Sequence, residues 1–114
     1  MIAKVSAKRV AAGRLRVPAR GEVWRVAAAG APGAVLVLSH VEFNRANGAA
    51  LVAVIDCDAV GAPSGGFGVS FALGVVRVND VRMLDLVKQK GCFVEAAPAA
   101  VLGDVLARFR VIYE

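Results

Sequence analysis

Residues 34–56 read AVLVLSHVEFNRANGAALVAVID, and this stretch fixes the class of structure. It begins with the apolar run AVLVLS (34–39) and ends with a second one, AALVAVID (49–56). Uninterrupted apolar runs of this length are typical of central strands that are covered on both faces. The polar segment HVEFNRANG (40–48) between them is long enough for one helical turn. The sequence therefore predicts two central, buried strands.

Shorter β-like segments lie on either side of this stretch, and turn residues separate them. They are GEVWRVAA (21–28), FGVSFAL (67–73), GVVRVN (74–79), with a bend at Gly74, and GCFVE (91–95). Many short strands with turn signals between them indicate a small, strongly curved antiparallel sheet.

The end of the chain follows a helical pattern instead. Pro98 suits the first turn of a helix. An apolar stripe at helical spacing then runs through Val101, Leu102, Val105, Leu106 and Phe109. The predicted fold is therefore mainly β with α: an SH3-like antiparallel β-barrel with a C-terminal helix.

Composition limits what the chain can be. Its 114 residues make one domain, and a hydrophobic fraction of 58% with only 20% charged residues argues against disorder. Gly, Pro and Ser interrupt the long uncharged stretches, so none of them is a good transmembrane helix. We expect a soluble protein whose apolar face a partner covers.

The basic charge is concentrated at the start of the chain. The first 20 residues contain Lys4, Lys8, Arg9, Arg14, Arg16 and Arg20, and all 9 acidic residues come later. We therefore divide the chain into a basic N-terminal extension (1–19) and a domain (20–114). Such an extension can attract a polyanion such as RNA, or it can be a solvated tail.

The cysteines and the single histidine argue against a structural zinc site, and we expect no metal and no other cofactor. Cys57, Cys92 and His40 cannot supply the four ligands of a structural zinc site. We expect both cysteines to be small core residues whose thiols stay reduced, which favours a cytoplasmic protein. The extension also lacks the apolar core of a secretory signal.

Several short motifs together resemble one protein family, the MazF/PemK-type toxins. Arg20–Trp24 is similar to the family's opening R-G-[DE]-[IVL]-[WY]. Val35–Ser39 followed by Glu42–Arg45 resembles its "VLVLS…FN" stretch, and Leu51–Ile55 lies where the family has an apolar strand. Val76–Asp85 resembles "VxxDQIRTLD". The order and spacing of these motifs make the match more specific than any one of them.

The resemblance covers about residues 20–112 and implies both a fold and a function. It implies an SH3-like barrel and the toxin of a bacterial type II toxin–antitoxin module. Typical members are homodimers that cut single-stranded RNA without a metal and are bound by an acidic antitoxin. CcdB proteins share the fold but inhibit DNA gyrase.

The resemblance also implies where the catalytic residues belong. The family has an Arg-Pro pair directly before Val35, where this chain has Gly33-Ala34, and a Thr directly after Ile55, where it has Asp56.

We expect replacement groups to carry the chemistry. Metal-free RNA cleavage needs a group that takes a proton from the 2′-hydroxyl and a cation that stabilises the charge on phosphorus. Asp56 is the candidate base, Arg25 and Arg77 are the candidate cations, and His40 is a candidate proton shuttle. The alternative is that all of these side chains are solvated surface groups.

A further set of residues is predicted to bind RNA. Asn44 and Arg45 can contact a phosphate or a base, and Trp24 can stack on one. Asp80 stands where the family has Gln, and Arg82 matches the family's own Arg. Each has a structural alternative: Trp24 can be core, and Arg82 can pair with Asp80 or Asp85.

Three functions remain open from the sequence. The first is an endoribonuclease toxin with an altered active site. The second is a non-catalytic, CcdB-like inhibitor of a protein such as gyrase, which loss of the family Arg and Thr favours. The third is a degenerate relative that still binds an antitoxin.

Overall fold

A computed structural model describes residues 16–58 and 67–113. The strands and helices, numbered in chain order, are β1 (Glu22–Val26), β2 (Ala34–Val37), α1 (Val41–Asn47), β3 (Ala50–Asp56), β4 (Gly68–Phe71), β5 (Gly74–Leu84), β6 (Gly91–Ala96) and α2 (Ala99–Tyr113). The predicted architecture, an antiparallel sheet followed by a C-terminal helix, is confirmed. The basic residues of 1–15 lie outside the described residues.

The strands form a 6-stranded sheet in the order β4-β5-β3-β2-β1-β6. Every pairing is antiparallel, and β2 and β3 lie at its centre as their apolar sequences predict. Among the described residues the two outer strands, β4 and β6, do not pair with each other, so the sheet stays open. The fold is therefore barrel-like rather than a closed barrel.

Both faces of the central strands are buried. On the face covered by α2, Val23, Leu36 and Ile55 pack with Val105 of the helix. Because side chains alternate along a strand, the next residues point the other way. There Trp24, Val26, Val35, Val37, Ala50, Val52 and Leu86 form a second cluster. Burial on both faces explains why β2 and β3 read as continuous apolar runs.

The longest strand, β5, contains a bend that the sequence did not predict. Ala53 pairs with Val81, but the next residue of β3, Val54, pairs with Arg77. Residues 78–80 therefore have no partner in β3, and the Val78 N–H donates to the Phe67 carbonyl at 2.9 Å instead. Such a bulge bends a strand and redirects its side chains. The expected strand 74–79 consequently continues to Leu84.

The connection between β2 and β3 is a capped helix. His40 is the N-cap of α1, and its Nδ1 accepts a hydrogen bond from the Glu42 N–H at 3.0 Å. Gly48 ends the helix with a φ of 69°, a left-handed conformation that glycine adopts without strain. Both signals are local, which is why a helical turn could be expected here from the sequence.

The two cysteines differ from the prediction. Cys57 and Cys92 are exposed free thiols, not core residues. Cys57 directly follows the end of β3, and Cys92 lies on the outer strand β6.

None of the helices formed by the described residues has the length and apolar character needed to cross a bilayer.

Candidate active site

A cavity of about 480 Å³ opens where β3 ends, and we call it the Asp56 cavity. It is lined by Pro32, Gly33, Val54, Ile55, Asp56, Cys57, Asp58, Arg77 and Asp80. The β1–β2 loop, the end of β3 and the bend of β5 meet there. Gly33, Asp56 and Arg77 thus share one cavity.

Asp56 is held by its own turn and by a cation. Its Oδ1 accepts a hydrogen bond from the Asp58 N–H at 3.1 Å, an arrangement that Asp favours where a strand turns. Its Oδ2 lies 3.5 Å from Nη1 of Arg77, which the bulge places opposite Val54. The Asp56 and Arg77 side chains are 36% and 46% exposed, so a ligand from solvent can reach both.

Asp80 and Arg82 form a second pair beside this cavity. Arg82 donates from Nε and Nη2 to the two carboxylate oxygens of Asp80 at 3.0 and 3.2 Å. These hydrogen bonds, with the charge of Asp80, raise the pKa of Arg82. The structural alternative for Arg82, a pair with Asp80, is therefore the observed geometry.

The structure places His40 away from Asp56. His40 lines another cavity of about 520 Å³, the α1–α2 groove, whose walls include Phe43, Met83, Leu106 and Phe109. Its Nδ1 is engaged as the cap of α1. His40 follows β2, which pairs antiparallel with β3, so His40 lies near the start of β3 and Asp56 lies at its end.

Arg25 also stands apart. It is exposed in the middle of β1, where it pairs with Ala34 on one side and Cys92 on the other. It is not among the residues that line the Asp56 cavity. Of the predicted catalytic residues, the structure brings together Asp56 and Arg77.

The predicted RNA-binding residues Trp24, Asn44 and Arg45 line a third cavity of about 340 Å³. Trp24 is only 3% exposed and belongs to the second core cluster. Contrary to the prediction, its ring is not accessible for stacking on a nucleobase. Its Nε1 donates to the Glu22 carboxylate at 3.1 Å. Arg45 is exposed and pairs with Glu42 at 2.5 Å, and this hydrogen bond, with the charge of Arg45, lowers the pKa of Glu42.

Asn44 is buried, at 3% exposure, and its side chain holds three segments together. Its Nδ2 donates to the carbonyls of Pro18 at 2.7 Å and Ser39 at 3.0 Å, and its Oδ1 accepts from the Ser39 hydroxyl. The predicted contact of Asn44 with a phosphate or a base is therefore replaced by a structural role, because every polar atom of the amide is engaged inside the protein.

The Asn44→Ala variant is expected to lose about 2 kcal/mol of unfolding free energy, because the Ser39 and Pro18 groups lose buried hydrogen bonds. Urea denaturation followed by circular dichroism measures this. The matched control is Asn47→Ala, since Asn47 is exposed and donates a helix-surface hydrogen bond to the Phe43 carbonyl at 2.8 Å. Equal losses in both variants would contradict a structural role for Asn44.

Arg16, which we assigned to the N-terminal extension, contacts the domain. The Arg16 guanidinium lies 3.7 Å from the centroid of Phe93 and 2.6 Å from the Glu22 carboxylate. Glu22 also accepts a hydrogen bond from the Ala19 N–H at 2.9 Å. The glutamate of the opening Arg-Gly-Glu motif thus ties the end of the extension to β1. The glutamate in this motif is the sequence feature that could have indicated a contact with the basic extension.

The described residues show no metal site: nowhere in 16–58 and 67–113 do three or more His, Cys, Asp and Glu side chains come together to hold an ion.

Comparison with known proteins gives structural relatives only. No protein-family model and no curated protein matches the sequence. A chain in the crystal structure of MazE-MazF (Form-I) from Deinococcus radiodurans matches with a TM-score of 0.73 and 26% identity, over 85% of this chain and 96% of that one. MazF (Form-I) alone from the same organism matches with a TM-score of 0.72 and 25% identity, covering 85% of this chain and 96% of that chain.

A more distant structure shares the fold. An endoribonuclease from Mycobacterial species has a TM-score of 0.68 and 15% identity, over 84% of this chain and 90% of that chain. At this level of identity the likeness concerns the fold alone.

Proposed function

We propose, from the premise that this chain has the MazF-type toxin fold, that it is the toxin of a bacterial type II toxin–antitoxin module. Its proposed activity is the metal-independent cleavage of single-stranded RNA at an atypical active site. Two of the structural relatives support the partner: MazF of Deinococcus radiodurans is in complex with MazE, and a mycobacterial endoribonuclease is in complex with its cognate antitoxin.

The composition of the Asp56 cavity carries the proposal. The positions that correspond to the family's Arg and Thr, Gly33 and Asp56, lie on its walls together with Arg77. Replacing Arg by Gly33 removes a cation from the β1–β2 loop, and Arg77 supplies one from β5 at 3.5 Å from Asp56. A carboxylate and a guanidinium at this separation fit the two needs of RNA cleavage, a base and a charge stabiliser.

The proposed reaction uses both groups. The Asp56 carboxylate takes the proton of the ribose 2′-hydroxyl, and the 2′-oxygen forms a bond to the adjacent phosphorus. The Arg77 guanidinium stabilises the negative charge that develops on the non-bridging oxygens. The bond from phosphorus to the 5′-oxygen breaks, that oxygen takes a proton from water, and the remaining hydroxide takes the proton from Asp56. The products are a 2′,3′-cyclic phosphate and a free 5′-hydroxyl.

Cleavage assays with purified protein test this function. A panel of single-stranded RNAs is incubated with the protein in EDTA, and the product ends are identified by mass spectrometry. Cuts that leave a 2′,3′-cyclic phosphate are expected. The absence of cuts, together with inhibition of gyrase supercoiling in a parallel assay, would favour the non-catalytic alternative instead.

A homodimer is proposed on the α1–α2 groove. Phe43 and Met83 are 45% and 49% exposed there, and partly buried Leu106 and Phe109 continue the apolar surface. A second copy of the chain would bury these side chains, and apolar burial is the main driving force of such association.

The Met83→Glu variant is expected to weaken this dimer by at least about tenfold, because a charge in an apolar interface loses its solvation. Sedimentation equilibrium over a range of concentrations measures the shift. Val87→Glu, at a residue that is 57% exposed but lies outside the groove, is the control and should associate like the wild type. A Met83→Glu protein that dimerises unchanged would place the interface elsewhere.

A further inference from the structure

The Asp56 cavity lacks the positive lining that an RNA strand requires. Asp56, Asp58 and Asp80 line it, and Arg77 is the cation among its lining residues. Asp80 is already bound to Arg82. RNA-binding proteins obtain most of their affinity from cations that neutralise phosphates. The groups that hold the strand must therefore lie elsewhere on the molecule.

The third cavity, which we call the Lys90 cavity, has the opposite charge. Arg16, Arg45 and Lys90 line its volume of about 340 Å³, and Asp85 is the acid on its wall. The Asp85 carboxylate already accepts hydrogen bonds from the N–H groups of Val87 and Lys88 at 3.1 and 3.2 Å. Within the described residues, Lys90 has no ion-pair partner.

The rest of the Lys90 cavity is apolar. Val17, Pro18, Leu86 and Val87 contribute to its walls, between the end of the extension and the loop that joins β5 to β6. Apolar walls with cations are suited to a nucleotide, which presents a flat base and a charged phosphate.

The two cavities lie at opposite ends of the same face of β3. Ala50 lines the Lys90 cavity and Asp56 lines the Asp56 cavity. Because alternate residues of a strand share a face, both belong to the side that carries Val52 and Val54. Six steps along a strand span about 20 Å. One single strand of RNA can therefore reach both cavities.

The basic extension joins the domain at the Lys90 cavity. Arg16 and Val17 are part of its lining, and the chain before them carries Lys4, Lys8, Arg9 and Arg14. Arg16 of the cavity therefore continues in sequence from the basic residues of the extension.

We propose that the Lys90 cavity binds a nucleotide of the RNA strand at a distance from the site of cleavage. Lys90 and Arg45 bind its phosphate, and the apolar walls receive its base. This inference rests on the proposed function, since it names the groups that hold the RNA substrate. It assigns substrate affinity to one end of β3 and chemistry to the other.

Binding of a short 2′-O-methyl RNA, measured by fluorescence anisotropy at several salt concentrations, tests the proposal. This RNA lacks the 2′-hydroxyl proton and is not cut, so binding is separated from catalysis. Lys90→Gln is expected to weaken binding about fivefold and to reduce the slope of log K against log salt by about 0.7. Lys88→Gln is the matched control, because exposed Lys88 is near in the chain but outside the cavity.

Variants of the Glu42–Arg45 pair distinguish a role in RNA binding from a purely structural role. Arg45→Gln is expected to weaken RNA binding about fivefold, whereas Glu42→Gln releases the guanidinium and is expected to strengthen it about twofold. If the pair served only the stability of α1, both variants would change binding in the same direction. Thermal unfolding of the two variants checks that each is folded.

The outcomes separate this proposal from the proposed function. If Lys90→Gln and Arg45→Gln bind 2′-O-methyl RNA like the wild type while unmodified RNA is still cut, the Lys90 cavity is not the RNA site and the proposed function stands. If the wild type binds in the cavity but cuts nothing, cleavage is wrong and the cavity assignment stands. If the wild type neither binds nor cuts RNA, both are wrong.

Discussion

The Asp56→Asn variant is expected to cleave single-stranded RNA about a hundredfold to ten-thousandfold more slowly than the wild type, the usual contribution of a general base. Asn keeps the side-chain oxygen that accepts the Asp58 N–H at 3.1 Å, so the turn after β3 is preserved. What is lost is the ability to take a proton. Initial rates with a fluorescent RNA in EDTA measure the effect.

The matched control for this variant is Asp104→Asn. Asp104 is also an exposed carboxylate paired with an arginine, Arg108, at 3.1 Å, but it lies on α2. Its replacement is expected to leave the rate within about twofold of the wild type, as for most surface changes. Wild-type rates for Asp56→Asn would remove Asp56 from the mechanism.

The Gly74→Ala variant is expected to lose about 2–4 kcal/mol of unfolding free energy. Gly74 begins β5 with a φ of +142°, and a Cβ there would lie 2.5 Å from the Asp56 carbonyl oxygen and 2.9 Å from the Cys57 Cα. Both contacts are with backbone atoms, which cannot rotate away. The start of β5 must therefore move away from the end of β3, which carries Asp56, so cleavage is expected to fall as well.

Two other glycines separate the causes of this loss. Gly103→Ala in α2 meets nothing within 4 Å and is expected to stabilise the protein by about 1 kcal/mol, because Gly is a poor helix former. Gly30→Ala also has free space, but a φ of +80°, so it reports the cost of backbone strain alone, about 1–2 kcal/mol. Urea unfolding at one protein concentration compares all three. A loss in Gly74→Ala no larger than that in Gly30→Ala would show that the contact with β3 is relieved.

Local patterns account for most of what could be predicted about the fold. The apolar runs of β2 and β3, the helical turn expected within residues 40–48 and the stripe of α2 depend on neighbouring residues, and all of them are confirmed as elements. The full length of β5 escaped prediction because the bulge at residues 78–80 breaks its alternation. The burial of Asn44 was not predicted either. Asn is usually a surface residue, and only the folded chain brings Pro18 and Ser39 next to the Asn44 amide.

The candidate site divides in the same way. The family resemblance singles out Asp56 as the residue directly after Ile55, but the pairing of Asp56 with Arg77 depends on the register between β3 and β5. Trp24 was a plausible stacking residue from its type alone, and only the packing of Val35, Leu86 and Phe93 around it removes its ring from solvent. Lys90 carried no signal, because an isolated lysine in a loop is ordinary.

By itself the sequence determined which segments become strands and helices, since hydrophobic periodicity is set within a few residues and needs no partner. The tertiary structure alone decided which charges meet. Gly33, Asp56 and Arg77 converge, and His40 is kept apart, through strand register and one bulge. Register is the alignment of strands that are distant in the chain. A shift of one residue would turn each side chain of a strand to the opposite face of the sheet.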